Sequence, residues 1–275
     1  MFEKIKAAVF DIDGTLLNDD SEMMPLTREA LITLHNKGCL LGLASGRRVD
    51  QMSEFRTRWQ LPFDFDFMIG LNGGELFIRN SNDYESFYPL SREQVHACYE
   101  AIRDFDTNFY TYQPEGSLYL RMDALTKKSM HRYKARNIEI AKTVEELWAK
   151  PSPKVLMRCS HEESLKIEAY IKEHPLKGIR LVRTQPNVLE MMDARLDKGR
   201  ALLRFSEKQG YTKDEIIACG DTSNDNEMLE AVTNSVCLLN GTDDTKACAR
   251  FITDYTNNED GLGRWFADHF FAEAA

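Results

Sequence analysis

With 275 residues, the chain is long enough for one large domain or for a core that carries a smaller inserted one. Its 43% hydrophobic and 29% charged content argues against both a disordered and a membrane-embedded protein. The net charge of −9 argues against nucleic acid as a partner, which calls for basic surfaces, but it leaves room for small phosphorylated ligands, because the field inside a site differs from the total charge.

The six cysteines, Cys39, Cys98, Cys159, Cys219, Cys237 and Cys248, show no CxxC spacing, and four of them lie in or beside apolar runs. They read as reduced core thiols rather than as disulfides or a zinc site. The apolar run near the N-terminus is too short for a signal h-region or a membrane span. The expectation is therefore a cytoplasmic protein with no membrane partner, and Asn240-Gly241-Thr242 reads as a chance match to a glycosylation acceptor. Oligomeric state cannot be read.

The chain opens with an alternation of strand and helix patterns. IKAAVF (5–10) is a buried strand that runs into acids, and a helix capped by Thr27 extends through Lys37 to Gly38. CLLGLA (39–44) is a second strand, followed by Ser-Gly-Arg and a helix over Val49 to Trp59. FMIGLNG (67–73) is a third strand, ending at Asn72-Gly73-Gly74. Such a βαβαβ series predicts a doubly wound parallel sheet, a Rossmann-like α/β core.

From about Tyr88 the pattern changes. Ser91 to Gln94 forms a capping box that opens a helix, the aromatic strands NFYTY (108–112) and SLYLR (117–121) follow, and a basic helical segment spans Lys127 to Arg136. KVLMRC (154–159) is a strand, Ser160 to Glu163 a second capping box, and GIRLV (178–182) and VLEMM (188–192) are strands. The rhythm of the first part then returns: helix 198–208, strand 215–220, helix 225–231, strand 235–239, helix 242–249, strand 251–253 and a last helix through Phe271. Residues 89–187 are read as an inserted α+β domain, and 1–88 with 188–275 as the two halves of one core.

Four segments put polar groups at a strand end or a helix start, where open α/β sheets bind their ligands. In VFDIDGT (9–15), Asp11 and the Asp13 carbonyl can face one point while the Asp13 side chain reaches elsewhere, an arrangement suited to Mg²⁺. The rival reading, an EF-hand loop, lacks its glycine, because Leu16 stands there, and no helix precedes it. In LASGR (43–47), Ser45 and the Gly46 N–H can cradle phosphate oxygens, although Ser-Gly is also ordinary turn chemistry. Lys198, in Asp197-Lys198-Gly199, is a candidate phosphate-binding cation; the plainer alternative is a solvated surface lysine. In GDTSNDNEML (220–229), Asp221 at the strand tip is a candidate second metal ligand, against a plain turn with a helix cap.

Taken in order, DIDGT, SGR, DKG and GDTSND resemble the haloacid-dehalogenase superfamily, in particular its Cof-like phosphatases with a large type IIB cap inserted after the third core strand. Asn72-Gly73-Gly74 and NNEDG (257–261) match smaller signatures, whereas Leu238 to Gly241 and Ala194 to Asp197 depart from the usual pattern. The resemblance implies a Mg²⁺-dependent phosphatase acting on small phosphorylated metabolites. Asp11 would be the nucleophile and Asp13 the acid/base. The metal would be held by Asp11, Asp13 and Asp221. Ile12, Ser45, Gly46, Lys198 and Asn224 would bind the substrate, supported by Asp225. A receiver-type signalling module is the rival from another class, but it would have no acid two residues after its acceptor. A phosphomutase would use the same core. Tyr110, Tyr112, Tyr119, Arg121, His131, Arg132 and Arg158 are candidate cap residues for substrate choice, or simply packing.

Overall fold

The computed structural model describes residues 4–113, 116–124, 126–127 and 138–271. They divide into two compact units, one of residues 1–86 with 197–275 and one of residues 87–196. Each side of the division has its own sheet.

The first unit begins with β1 (Ala7–Phe10), whose side chains are all fully buried, as expected of a parallel strand covered on both faces. Helix α1 (Pro25–Asn36) starts at a proline, which fits the first helical position, and buries Thr27, Ala30, Leu31 and Leu34 along one face. Thr27 therefore lies inside the helix rather than capping it. The cap comes from far along the chain: the Asp260 carboxylate accepts from the Leu26 and Thr27 N–H groups at 2.7 and 2.8 Å and from the Thr27 hydroxyl at 2.7 Å.

Strand β2 (Leu40–Ala44) is followed not by one helix but by two short ones, α2 (Val49–Met52) and α3 (Phe55–Arg58). Between them the Ser53 hydroxyl donates to the Asp50 carbonyl at 2.7 Å, a local bond that competes with the helical ladder. Strand β3 (Phe67–Gly70) leads into an unexpected antiparallel hairpin, β4 (Glu75–Ile78) and β5 (Asp83–Ser86).

The second unit holds α4 (Arg92–Ile102), β6 (Asn108–Gln113), β7 (Gly116–Tyr119), β8 (Ile138–Ile140), β9 (Val155–Arg158), α5 (His161–Glu173), β10 (Ile179–Gln185) and β11 (Val188–Asp193). Its sheet runs β10-β11-β9-β6-β7-β8, antiparallel except between β7 and β8. Residues such as Val95 and Ile102 of α4 and Ile167 of α5 pack with Phe109, Met157 and Leu189 in one core. The Ser91 capping box forms in both directions. At α5, Ser160 accepts from the Glu163 N–H, but the Glu163 carboxylate turns to the Asp106 N–H instead. The expected basic segment lies outside the described residues from 128 onward, and His131 and Arg132 with it.

Strand β11 differs from the boundary expected at residue 188. It pairs with β9 on one side and β10 on the other, inside this sheet, so the chain returns to the first unit only at Asp197.

The first unit resumes with α6 (Lys198–Gln209), β12 (Ile216–Gly220), α7 (Asn226–Glu230), β13 (Asn234–Cys237), α8 (Asp243–Cys248), β14 (Phe251–Ile252) and α9 (Gly261–Phe266). The sheet order is β14-β13-β12-β1-β2-β3-β4-β5, with its first six strands parallel. Phe10 lies in register with Leu43 on one side and Cys219 on the other. The segments that follow, Asp11, Ser45 and Asp221, therefore leave the sheet at one edge. No helix among the described residues is long and apolar enough to cross a membrane.

Candidate active site

At the carboxyl ends of β1 and β12 the chain gathers a buried ionic cluster. The Lys198 ammonium, fully buried at the first position of α6, donates to Asp11 Oδ1 at 2.5 Å and to Asp225 Oδ1 at 2.6 Å. The plainer reading of Lys198 as a surface residue is thus overturned. Asp11, Asp221 and Asp225 bring carboxylate oxygens within 4.8 Å of one another. Three carboxylates face one lysine, an excess of negative charge in a desolvated place.

The titration behaviour follows from that imbalance. Burial raises the Asp11 carboxyl well above the usual range; Lys198 opposes this, and Asp225 and Asp221 push it further up. Asp221 is pushed up to about 7, first by burial and then by Asp225, against the hydrogen bond from Thr15. Burial works against the Lys198 cation, but Asp11 and Asp225 outweigh it and raise its pKa.

The oxygens do not all have the same freedom. Asp225 is committed: Oδ1 to Lys198, and Oδ2 to the N–H groups of Asp221 and Thr222 at 3.0 and 3.1 Å. Asp221 Oδ1 accepts from the Thr15 hydroxyl at 2.7 Å, while Gly14 passes its Oδ2 so closely that a Cβ there would lie 2.4 Å from it. With φ of +92°, position 14 needs glycine on both counts. An all-oxygen, anionic donor set of this kind suits a hard divalent cation, with Asp11 and Asp221 as the residues able to hold it and Asp225 as support.

Asp13 points away from the cluster. Its side chain is 57% exposed, and both carboxylate oxygens accept from Arg47 Nη2, at 2.8 and 2.6 Å. Ile12 is buried in the core, and its carbonyl accepts from the Leu16 and Leu17 N–H groups, so only its backbone N–H remains for a ligand. Ser45 is buried at the end of β2, and its Oγ accepts from the Arg47 N–H at 3.3 Å. Asn224 lies half-buried on the far side of the corner, where its Nδ2 reaches Asn72 Oδ1 at 3.3 Å.

The sequence reading left several contributors without a role. Arg47 lies inside the SGR motif and Asn72 inside Asn72-Gly73-Gly74, and neither motif by itself gives the residue a role. Thr15 and Asn240, which donates to the Gly14 carbonyl at 2.9 Å, brace the first loop. Arginine after Ser-Gly and asparagine two residues past a buried strand were the available signals. The NNEDG segment proves to be a clamp, since Asn257 and Asn258 donate to the Asp19 carboxylate and Asp260 caps α1.

A model of the haloacid dehalogenase-like hydrolases matches residues 8–266. The chain belongs to that family. Proteins named as phosphatases are similar to it over most of its length. A 5-amino-6-(5-phospho-D-ribitylamino)uracil phosphatase of Bacillus subtilis is 25% identical, with 94% of each chain covered. An HMP-PP phosphatase of Serratia proteamaculans is 24% identical, covering 86% of this chain and 84% of its own. A solved haloacid dehalogenase-like hydrolase from Bacteroides thetaiotaomicron is 28% identical with a TM-score of 0.83, covering 97% of this chain and 100% of the other. The HAD subclass IIB sugar phosphatase BT4131 shares the fold, with a TM-score of 0.81 at 22% identity over 96% and 98% of the two chains.

Proposed function

We propose that this chain is a Mg²⁺-dependent phosphatase of small phosphorylated metabolites that works through a phosphorylated Asp11. The observation that carries the reading is the group of three buried carboxylates around one buried lysine at the strand ends, an imbalance that a packed core would not retain without a ligand. Asp11 and Asp221, with the Asp13 carbonyl, would hold Mg²⁺. When bound, the ion offsets the charge that would otherwise repel a phosphate dianion and screens charge at the transferring group.

The chain's own residues divide the remaining work. A carboxylate oxygen of Asp11 attacks phosphorus, the bond to the ester oxygen breaks, and Asp13 gives that oxygen its proton. Asp13 then takes a proton from water, which attacks the same phosphorus. The bond to Asp11 breaks and inorganic phosphate leaves. Lys198 neutralises Asp11 and orients it, and Asp225 holds Lys198 in place through Oδ1. Ser45, Gly46 and Asn224 bind phosphoryl oxygens. The half-exposed position of Asp13 supports the acid/base role, because this residue must meet both a departing alcohol and incoming water. Residues 87–196 would carry the determinants of substrate choice, with Tyr110, Tyr112, Tyr119, Arg121 and Arg158 among the candidates.

The test is rapid acid quench during turnover, followed by mass spectrometry of the tryptic peptide of residues 7–28. A phosphate adduct on Asp11 is expected, and it should accumulate in Asp13→Asn with an aryl phosphate, whose departure needs little protonation. An adduct on another residue would remove the reading.

A further inference from the structure

Asn72 follows β3 in an unusual stretch of backbone. Leu71, Asn72 and Gly73 have φ of +53, +54 and +97°, three consecutive residues in the left-handed region. Two hydrogen bonds hold the stretch against the loop after β2: the Leu71 N–H donates to the Arg47 carbonyl at 2.8 Å, and the Asn72 N–H to the Ser45 carbonyl at 3.0 Å. This brings the Asn72 carboxamide beneath the corner assigned to the phosphoryl group. Its Oδ1 and Nδ2 lie 3.3 and 3.5 Å from where a Cβ on Gly46 would stand. The side chain is 1% exposed.

The orientation of the amide is fixed by a chain of bonds. The Thr222 hydroxyl donates to Asn224 Oδ1 at 2.7 Å, which turns Asn224 Nδ2 toward Asn72 Oδ1. Asn72 Nδ2 is then left pointing elsewhere, and among the described residues this buried donor finds no acceptor. An amide donor buried without a partner costs stability, and that cost is removed only when an acceptor arrives. The groups beside it, Gly46 and Asn224, are themselves candidate donors to an oxyanion. The missing acceptor is of the same kind.

We infer that Asn72 Nδ2 is a direct hydrogen-bond donor to a phosphoryl oxygen, adding a side-chain donor to the Ser45, Gly46 and Asn224 cradle. The inference rests on the phosphatase reading above and names a further residue of that site. Asn72→Asp keeps the shape and the acceptor for Asn224 but exchanges the donor for a negative charge. Asn72→Gly removes the amide at a backbone angle that glycine adopts freely.

The experiment is calorimetric titration of inorganic phosphate, which is not turned over, into the full chain with Mg²⁺. Parent, Asn72→Asp, Asn72→Gly, Asn224→Ala and the Asn72→Gly/Asn224→Ala pair are compared, and the thermal midpoint of each is recorded. Asn72→Gly is expected to weaken phosphate about ten-fold to a hundred-fold, the worth of a hydrogen bond to a charged group, and Asn72→Asp to weaken it further, because it also adds like charge. Asn72→Gly should do so in the Asn224→Ala background as well. If Asn72 serves only to hold Asn224, its substitution has no further effect once Asn224 is alanine, and the inference falls. Unchanged phosphate affinity in Asn72→Asp also overturns it. Where Asn72→Asp fails to fold, Asn72→Gly decides, and parental affinity in that variant overturns the inference. A parent chain that does not bind phosphate removes the phosphatase reading itself, and this inference with it. Parental binding left unaltered in the variants removes only the role of Asn72.

Discussion

Each of the two units buries a lysine, and the two sites differ in charge balance. In the inserted unit Lys154 meets Glu190 at 2.6 Å, with side chains 1% and 7% exposed, and the Thr184 hydroxyl donates to the second Glu190 oxygen at 3.3 Å. Among the described residues one cation is paired with one anion. In the core unit Lys198 meets two carboxylates directly and a third close by. A balanced pair is complete as it stands, whereas an excess of buried anions calls for a cation from outside. Buried ion pairs alone are therefore poor markers of function, and their imbalance is the better one.

The largest effect expected from breaking this contrast is on turnover. Asp11→Asn removes one member of the crowded cluster and the proposed nucleophile together. Phosphatase activity should fall by about a thousand-fold or more, while the unfolding midpoint stays at or above that of the parent, since a buried carboxylate under like-charge stress has gone. Steady-state kinetics and urea unfolding on the same preparation check both halves. A variant that loses stability along with activity would mean that Asp11 serves the fold.

The balanced pair should behave in the opposite way. Lys154→Met leaves Glu190 buried and uncompensated, with an expected loss of about 3–5 kcal/mol at neutral pH. Adding Glu190→Leu should return most of it, because an apolar pair of similar volume replaces a complete ion pair at little cost. Equilibrium unfolding of the single and double variants measures the difference. A double variant no better than the single would show that the pair does more than satisfy itself.

How much of this was legible beforehand depended on distance along the chain. The strands of the core could be read because continuous apolar runs such as Ala7–Phe10 are covered on both faces, and strand ends mark where ligands bind. Asp11, Lys198 and Asp221 could be located because each sits at such an end or at a helix start. What could not be read depended on partners far apart in sequence. Asp260 caps α1 across more than two hundred residues, which no local signature of Thr27 could reveal. Likewise a boundary at residue 188 separates β11 from β9 and β10, and only its pairing with both shows that the three belong to one sheet. The part played by Asn72 could not be read, because its significance lies in a left-handed backbone and a contact with Asn224, and neither shows in composition. At Leu71 and Asn72 that backbone costs on the order of 1–3 kcal/mol for each non-glycine residue. This is a price that only the folded loop discloses.

The smallest effect expected is the pH dependence of the imbalance itself, measured without and with Mg²⁺. In the metal-free chain Asp221 is raised to about 7 from an ordinary carboxylate value. Between those values the folded state holds a proton that the unfolded state has released, so stability falls as pH rises through this window. The slope is on the order of 1.4 kcal/mol per pH unit for each extra proton held, and for a chain of this size 1 kcal/mol is about 2–4 °C in the unfolding midpoint. On the proposed function, Mg²⁺ would compete with that proton for the same oxygens. Its stabilising effect should therefore be larger at pH 7.5 than at pH 5.5, and Asp221→Asn should reduce the metal effect and the pH slope, leaving the share of the slope that the raised Asp11 carboxyl contributes. The pair Lys154 and Glu190 supplies the internal control: Lys154→Met/Glu190→Leu should leave the difference between the curves with and without Mg²⁺ as it is in the parent. If those curves run parallel across the range in the parent, the cation does not bind at Asp221, and the excess of buried carboxylates would need another explanation.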